Sequence, residues 1–210
     1  MLTCGGGFFN AGQMCSATSR VLVADTLADE FLQRLRARAE GIRVADPFAE
    51  DVEMGALINR AQYQRVVGHI QRGIEDGARL LCGGERPADL ARGYFIRPTV
   101  FTAVPLDSAL WNEEIFGPVL CVRSFATEDE AIALANDSDF GLVASVVGTD
   151  VESAERVANA LQAGLVWINA PQVIFPQTAW GGYKQSSIGR ELGPWGLAAF
   201  QEIKHVIRSN

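Results

Sequence analysis

The feature that most limits the fold is an alternation near the middle of the chain. Val119 to Phe125 is a nearly continuous apolar run. Thr127-x-x-Glu130 then reads as a capping box that opens a helix ending near Asn136. Leu142 to Val147 is a second apolar run. Thr149-x-x-Glu152 opens a second helix closed by Gly164, and Leu165 to Asn169 is a third strand. Strand, helix, strand, helix, strand at this spacing requires crossover connections, which set neighbouring strands parallel. Strands that are apolar on both sides need cover on both sides. The expected fold is therefore α/β: a doubly wound, mostly parallel sheet with helices on both faces. Ligands of such sheets bind beyond the carboxyl ends of the strands.

The flanking sequence extends this plan. Arg20 to Val23 reads as a strand, and Thr26-x-x-Asp29 as a cap for a helix that Gly41 ends. Asn59 is positioned to cap a further helix whose buried face carries Tyr63, Val66, Val67, Ile70 and Ile74, with Gly77 at its end. Arg79 to Cys82 is a short strand. Residues 94–104 are β-like, but Pro98 points to an edge or a break. The Gly- and Pro-bearing stretch 170–193 is a long loop, and loops of that length within compact domains usually carry function. A short helix near Pro194–Phe200 and a strand near His205–Ile207 complete the chain.

Composition excludes several classes of function. A net charge of -7 opposes nucleic-acid binding, which needs a basic face. No apolar run approaches the length of a membrane-spanning helix. The first Lys or Arg is Arg20, so no signal peptide is expected. Cys4, Cys15, Cys82 and Cys121 share no Cys-x-x-Cys spacing and stand apart in sequence from His69 and His205, so neither a metal cluster nor a disulfide framework is expected. His69 and His205 are read as packing or surface residues. Reduced thiols with an acidic balance fit the cytoplasm.

Cys15 is the residue with the most chemical potential. It lies in Phe8-Phe9-Asn10-Ala11-Gly12-Gln13-Met14-Cys15-Ser16-Ala17-Thr18-Ser19-Arg20, between two aromatics and a strand. A lone cysteine is more often a small buried residue than a nucleophile. A turn rich in Gly, Ser and Ala, however, brings backbone N–H groups near the thiol, where they can favour the thiolate and stabilise an oxyanion. Glu113-Glu114-Ile115-Phe116-Gly117-Pro118 is a second candidate. By itself it reads as a charged turn before a strand. The third candidate is the loop ending in Trp180-Gly181-Gly182-Tyr183-Lys184-Gln185-Ser186, with Gly189-Arg190-Glu191 beyond it.

Together these segments resemble, in the same order, the aldehyde dehydrogenase family. Phe-Phe-Asn-x-Gly-Gln-x-Cys resembles its nucleophile segment, which makes Cys15 the catalytic nucleophile. Glu114 matches the Glu that binds the nicotinamide ribose, and Phe116 the Phe that packs on the nicotinamide ring. Asn136-Asp137-Ser138-Asp139-Phe140-Gly141-Leu142 matches a structural motif of the family. Residues ahead of Gly181-Gly182 line the aldehyde pocket in the family, which here implies Ile174, Phe175 and Trp180. An aromatic wall of this kind can hold an apolar or quaternary-ammonium substrate by cation–π attraction. The wording of this loop most resembles betaine aldehyde dehydrogenases and related ω-amino-aldehyde enzymes. Ser187 departs from the family's usual Gly.

The resemblance implies a catalytic domain over residues 1–193, N-terminally truncated, and over 194–210 a C-terminal helix and oligomerisation strand. It implies NAD or NADP as cofactor, a small-molecule aldehyde as substrate, and a homo-oligomer that engages neither nucleic acid nor membrane. It further implies oxidation of the aldehyde to a carboxylic acid through a Cys15 thiohemiacetal and thioester. The family's cofactor domain, its Glu-Leu-Gly-Gly general base and an oxyanion-binding Asn have no counterpart in these 210 residues. The expectation is that this polypeptide alone is inactive as a dehydrogenase. The alternatives are a cofactor-independent thiol hydrolase or acyl-transfer module using Cys15, and a non-catalytic assembly domain.

Overall fold

Arg20 shows how the first part of the chain is held together. In the computed structural model, which describes residues 2–210, its guanidinium stacks 5.0 Å from the Trp111 ring. It also donates to the carbonyls of Leu134 (3.5 Å), Ala135 (3.0 Å) and Asp137 (3.0 Å). These are the orphan acceptors at a helix C-terminus, where a cation is favoured. One side chain thus ties a strand to two helices.

The elements around it are, in chain order, α1 (Leu2–Phe8), β1 (Arg20–Ala24), α2 (Ala28–Glu40), α3 (Arg60–Glu75), β2 (Arg79–Cys82), β3 (Thr99–Thr102), α4 (Ala109–Asn112), β4 (Val119–Phe125) and α5 (Glu128–Asn136). They belong to one compact unit that ends at Asp137. A second unit, Ser138–Asn210, holds β5 (Phe140–Gly141), β6 (Val143–Val146), α6 (Val151–Ala160), β7 (Leu165–Ile168), β8 (Tyr183–Lys184) and α7 (Gly193–Ala198).

In the first unit the strand order is β1-β4-β3-β2. β4 is parallel to both β1 and β3, and β2 joins antiparallel with an irregularity between Leu80 and Cys82. Val119, Leu120, Cys121 and Val122 are all buried. Successive residues of a strand face opposite sides, so the sheet is covered on both faces at β4. Asn59 caps α3 through the Gln62 N–H (2.9 Å), and Thr127 caps α5 through Glu130. Val66 and Ile70 are buried as the α3 periodicity requires, while Ile74 is half exposed.

Several expectations fail for identifiable reasons. β4, β6 and β7 do not share one sheet: among the described residues β6 and β7 pair in parallel as a separate two-stranded sheet. Sequence spacing counts strands but does not say which edge each one joins. Pro98 does break the 94–104 segment, so that β3 begins at Thr99, but the strand is internal rather than an edge because Pro98 stops just short of it and removes no ladder donor. Thr26 caps nothing; a 3₁₀ turn over Asp25–Leu27 leads into α2. Asp150, not Thr149, caps α6, accepting from the Glu152 and Ser153 N–H groups. Residues 201–210 form no strand and are exposed. A strand requires a partner edge, and among the described residues this segment has none.

α1 was not legible in the sequence. Its Gly5-Gly6-Gly7 run opposes helix by about 1 kcal/mol per residue. Packing overrides that propensity. A Cβ at Gly7 would lie 2.6 Å from Leu120 Cδ2, so a glycine is needed for α1 to reach the sheet, and Cys4 and Phe8 are buried there.

Replacing Arg20 by Met should lower unfolding free energy by about 1–2 kcal/mol, since half-buried helix-end acceptors would lose a charged donor. Arg20→Lys should recover only part, lacking the planar fork. Urea denaturation followed by circular dichroism measures both.

Candidate active site

The turn that presents Cys15 is built from backbone in an uncommon region. Asn10, Ala11 and Gly12 have φ of 51°, 55° and 70° in succession. Asn visits this left-handed region readily, but Ala incurs about 1 kcal/mol or more, so surrounding contacts must hold it. They are visible. The Gln13 N–H and side-chain Nε2 both donate to the Asn10 carbonyl (3.1 and 3.2 Å), and Asn10 Nδ2 donates back to the Gln13 carbonyl (3.0 Å). Gln13 Oε1 accepts from the Ile58 N–H at 2.8 Å, which anchors the turn to the residue before the α3 cap. The Ala17 N–H then bonds the Met14 carbonyl at 2.9 Å, placing Cys15 and Ser16 at the corner of a β-turn. Cys15 is exposed and Ser16 buried.

Gly12 joins this turn to the second candidate segment. A Cβ at Gly12 would collide with the carbonyl of Gly117. Gly117 in turn sits on Val66 of α3, where a Cβ would meet Val66 Cγ2 at 2.5 Å. Backbone-to-backbone contact therefore brings the Cys15 turn against the Glu114–Gly117 turn. Within the latter, Phe116 has a φ of 54°. Its ring is partly exposed and Glu114 is exposed. Among the described residues the Glu114 carboxylate has no hydrogen-bond or ion-pair partner, so it is available to a ligand. Cys15, Glu114 and Phe116 thus all belong to the first unit and are brought together by Gly12 and Gly117.

Ile174, Phe175 and Trp180 lie in the second unit. Ile174 and Phe175 are exposed, and Trp180 is partly buried. Their loop is ordered by its own contacts. Trp180 and Glu191 exchange backbone hydrogen bonds at 2.7 Å each, and Trp167 Nε1 donates to the Val173 carbonyl at 2.8 Å. Arg190 donates to the carbonyls of Gly182 and Gly189 while stacking 5.6 Å from Tyr183. Gly164 packs so closely on Gly181 that no Cβ fits. Ser187 is outside the left-handed region, so replacing glycine there costs no backbone strain.

The other thiols differ from Cys15 in environment. Burial pushes the Cys82 thiol up to about 11 and the Cys121 thiol up to about 12, and burial raises Cys4 as well. His69 is buried, and that burial together with nearby Arg72 lowers its pKa. It accepts from Arg72 at 3.3 Å through Nδ1 and faces Glu113 at 3.8 Å through Nε2. This is a packing role, as the sequence suggested. His205 is exposed on the tail. Among the described residues no group of acidic, Cys and His side chains could hold a metal, and no helix is long and apolar enough to cross a membrane.

A model of the family described as "Aldehyde dehydrogenase family" matches residues 2–206. The chain belongs to the aldehyde dehydrogenase family. It is 48% identical over 203 residues to the peroxisomal aminoaldehyde dehydrogenase 1 of Pisum sativum, covering 97% of this chain and 40% of that one. It is 46% identical over 203 residues to the chloroplastic betaine aldehyde dehydrogenase of Amaranthus hypochondriacus, with the same coverage. Among solved structures, betaine aldehyde dehydrogenase of Staphylococcus aureus in complex with NAD+ superposes with a TM-score of 0.92 at 44% identity, covering 95% of this chain and 40% of that one. The chain thus spans about 40% of the length of these aldehyde dehydrogenases, and its α/β fold is theirs.

Sequence reasoning missed Gln62, which helps assemble this candidate site, and it placed Gln13 in the Cys15 motif without showing what its side chain bonds. The sequence signal of Gln62 is an amide at a half-buried helical position, which does not say what it will bond.

Two outcomes follow from the thiols. Iodoacetamide should alkylate the native chain at Cys15 alone, with Cys4, Cys82 and Cys121 labelled only after denaturation; peptide mass spectrometry reads the sites. Raised pKa values in the folded state stabilise it only while those thiols stay protonated. Unfolding free energy should therefore fall as pH rises from about 9 towards 12. Cys121→Ala should flatten part of that decline in denaturant titrations across this range.

Proposed function

We propose that this chain supplies the catalytic portion of an NAD(P)-dependent aldehyde dehydrogenase that oxidises an aldehyde to a carboxylic acid. The carrying observation is the pairing of an exposed Cys15 corner with an unpartnered Glu114 carboxylate and the Phe116 ring across the Gly12–Gly117 contact.

The residues present fit a nicotinamide riboside. The Glu114 carboxylate can accept from ribose hydroxyls, and Phe116 offers a face for a flat ring. NAD or NADP, when bound, supplies a hydride acceptor. Everything else falls to the chain. Cys15, as thiolate, adds to the aldehyde carbon and forms a thiohemiacetal. The Cys15 backbone N–H, which has no acceptor among the described residues, can donate to the oxyanion. Departure of hydride leaves a Cys15 thioester. Water cleaves the carbon–sulfur bond, releasing the carboxylic acid and returning the thiol. Ile174, Phe175 and Trp180 are proposed to hold the substrate's distal end, with Trp180 favouring a quaternary or primary ammonium. The betaine and aminoaldehyde names of the relatives support that class.

No Glu-Leu-Gly-Gly segment occurs in these 210 residues, so the base that activates water is proposed to come from outside them. The exposed apolar tail (Phe200, Ile203, Val206 and Ile207) is proposed to pair with another subunit in a homo-oligomer. Four free cysteines fit a reducing compartment such as the cytoplasm.

The test is a chimera. The matching segment of the Pisum sativum relative is replaced by residues 8–198 of this chain. The chimera should reduce NAD+ with an aminoaldehyde, Cys15→Ala should abolish turnover, and Glu114→Gln should raise the cofactor KM about tenfold. The 210-residue chain alone should produce no NADH. A folded, NAD-binding chimera without Cys15-dependent turnover would overturn the proposal.

A further inference from the structure

We propose that Gln62 is a positioning residue of this site. Its side-chain amide sets the turn that carries Phe116 and, through the Gly12–Gly117 contact, the presentation of Cys15. The inference rests on the roles given to Cys15 and Phe116 above.

Three consecutive carbonyls of the second candidate segment point at one helix. Arg65 Nη2 donates to the Glu114 carbonyl at 2.8 Å. Gln62 Nε2 donates to the next two, Ile115 at 3.0 Å and Phe116 at 2.8 Å. Positions 62 and 65 are one turn apart on α3, and Val66 beside them receives Gly117. The whole turn is therefore docked on one face of α3 by two polar side chains and one apolar seat.

This docking matters because the turn is not self-sustaining. Phe116 takes a φ of 54°, a conformation unfavourable for a bulky aromatic residue, and neither the Ile115 nor the Phe116 carbonyl is taken up in a strand ladder. Gln62 is the donor that satisfies both. Without it the two carbonyls would turn to water and the left-handed residue would lose what holds it. The Gly117 carbonyl against which Gly12 packs would move with them. α3 also anchors the other turn, since the Ile58 N–H beside its cap is held by Gln13 Oε1. The N-terminal end of α3 thus brackets both turns through two glutamines, one reaching out from the helix and one reaching in.

The same geometry explains why Gln62 acts on position rather than chemistry. Its amide is engaged with main chain and leaves the Glu114 carboxylate and the Phe116 ring free.

The experiment uses the 210-residue chain with 4-fluorophenylalanine incorporated only at position 116. Its ¹⁹F spectrum and the iodoacetamide rate constant of Cys15 from pH 6 to 9 are compared across variants. Gln62→Met keeps the length and removes the donor. It should split or broaden the single ¹⁹F resonance and slow Cys15 alkylation at least about fivefold, the scale of one lost net hydrogen bond. Gln62→Lys, whose ammonium can donate to both carbonyls, should restore both readouts to within about twofold. Arg123→Met removes a remote bond to the Val104 carbonyl and controls for general loosening. It should move neither readout. If Gln62→Met does not fold, Gln62→Asn, too short to reach both carbonyls, takes its place. An unchanged spectrum and rate in a folded Gln62→Met chain overturns the proposal, as does an equal slowing in Arg123→Met. If Cys15 in the parent chain reacts no faster than Cys82, the nucleophile role fails instead. The ¹⁹F comparison then decides the positioning role alone.

Discussion

The site depends on one contact in which two main chains touch without side chains between them. Gly12 lies against the Gly117 carbonyl so closely that any Cβ would collide. Gly12 also has a φ of 70°, which favours glycine a second time. Gly117 rests on Val66, so the contact is clamped between α3 and the Cys15 turn. It fixes the separation of Cys15 from Glu114 and Phe116, residues about a hundred positions apart in sequence. The left-handed φ values at Asn10, Ala11 and Phe116 follow from it, because both turns must bend sharply to meet there.

What surrounds this contact separates one thiol from three. Cys121 lies on β4, where the sheet is covered on both faces, Cys82 is buried at the end of the edge strand β2, and Cys4 is buried on α1. Burial raises the pKa of all three thiols. Cys15 is exposed because it sits at the corner of a turn outside the sheet. The same fold thus makes cysteine an inert packing residue at three positions and an exposed one at the fourth. The second unit handles its loop by a related device. Gly164 on Gly181, and Gly141 on Gln162, bring main chains together where a side chain would hold them apart.

Much of the element plan was legible in the sequence. β4, α5 and β7 fall where the apolar runs and caps place them, and Asn59 and Thr127 cap as their spacing indicates. The departures share a cause. The capping pattern at Thr26 and Thr149 is local, while the observed caps turn on neighbours that local pattern does not contain. The split between the β1-β4-β3-β2 sheet and the β6-β7 pair is the same kind of error at larger scale. Strand partners are chosen by long-range packing, and the spacing along the chain is silent about them. Cys15, Glu114 and Phe116 stand out in the sequence as candidates because motif order carries them.

The sequence by itself determined the family and singled out Cys15, Glu114 and Phe116 as candidate site residues. Those depend on residue type at fixed local spacing, and local spacing survives without a fold. Only the tertiary structure decided how they meet. A glycine-rich segment became α1 because Leu120 left room for Gly7 and nothing larger. Gln13 and Gln62 became the brackets of the site because the end of α3 came to lie between two turns. Hydrogen bonds between residues 45 and 54 positions apart have no periodic signature. They exist only once the core has brought the chain together, and for that reason the sequence could place these glutamines but not show what they hold.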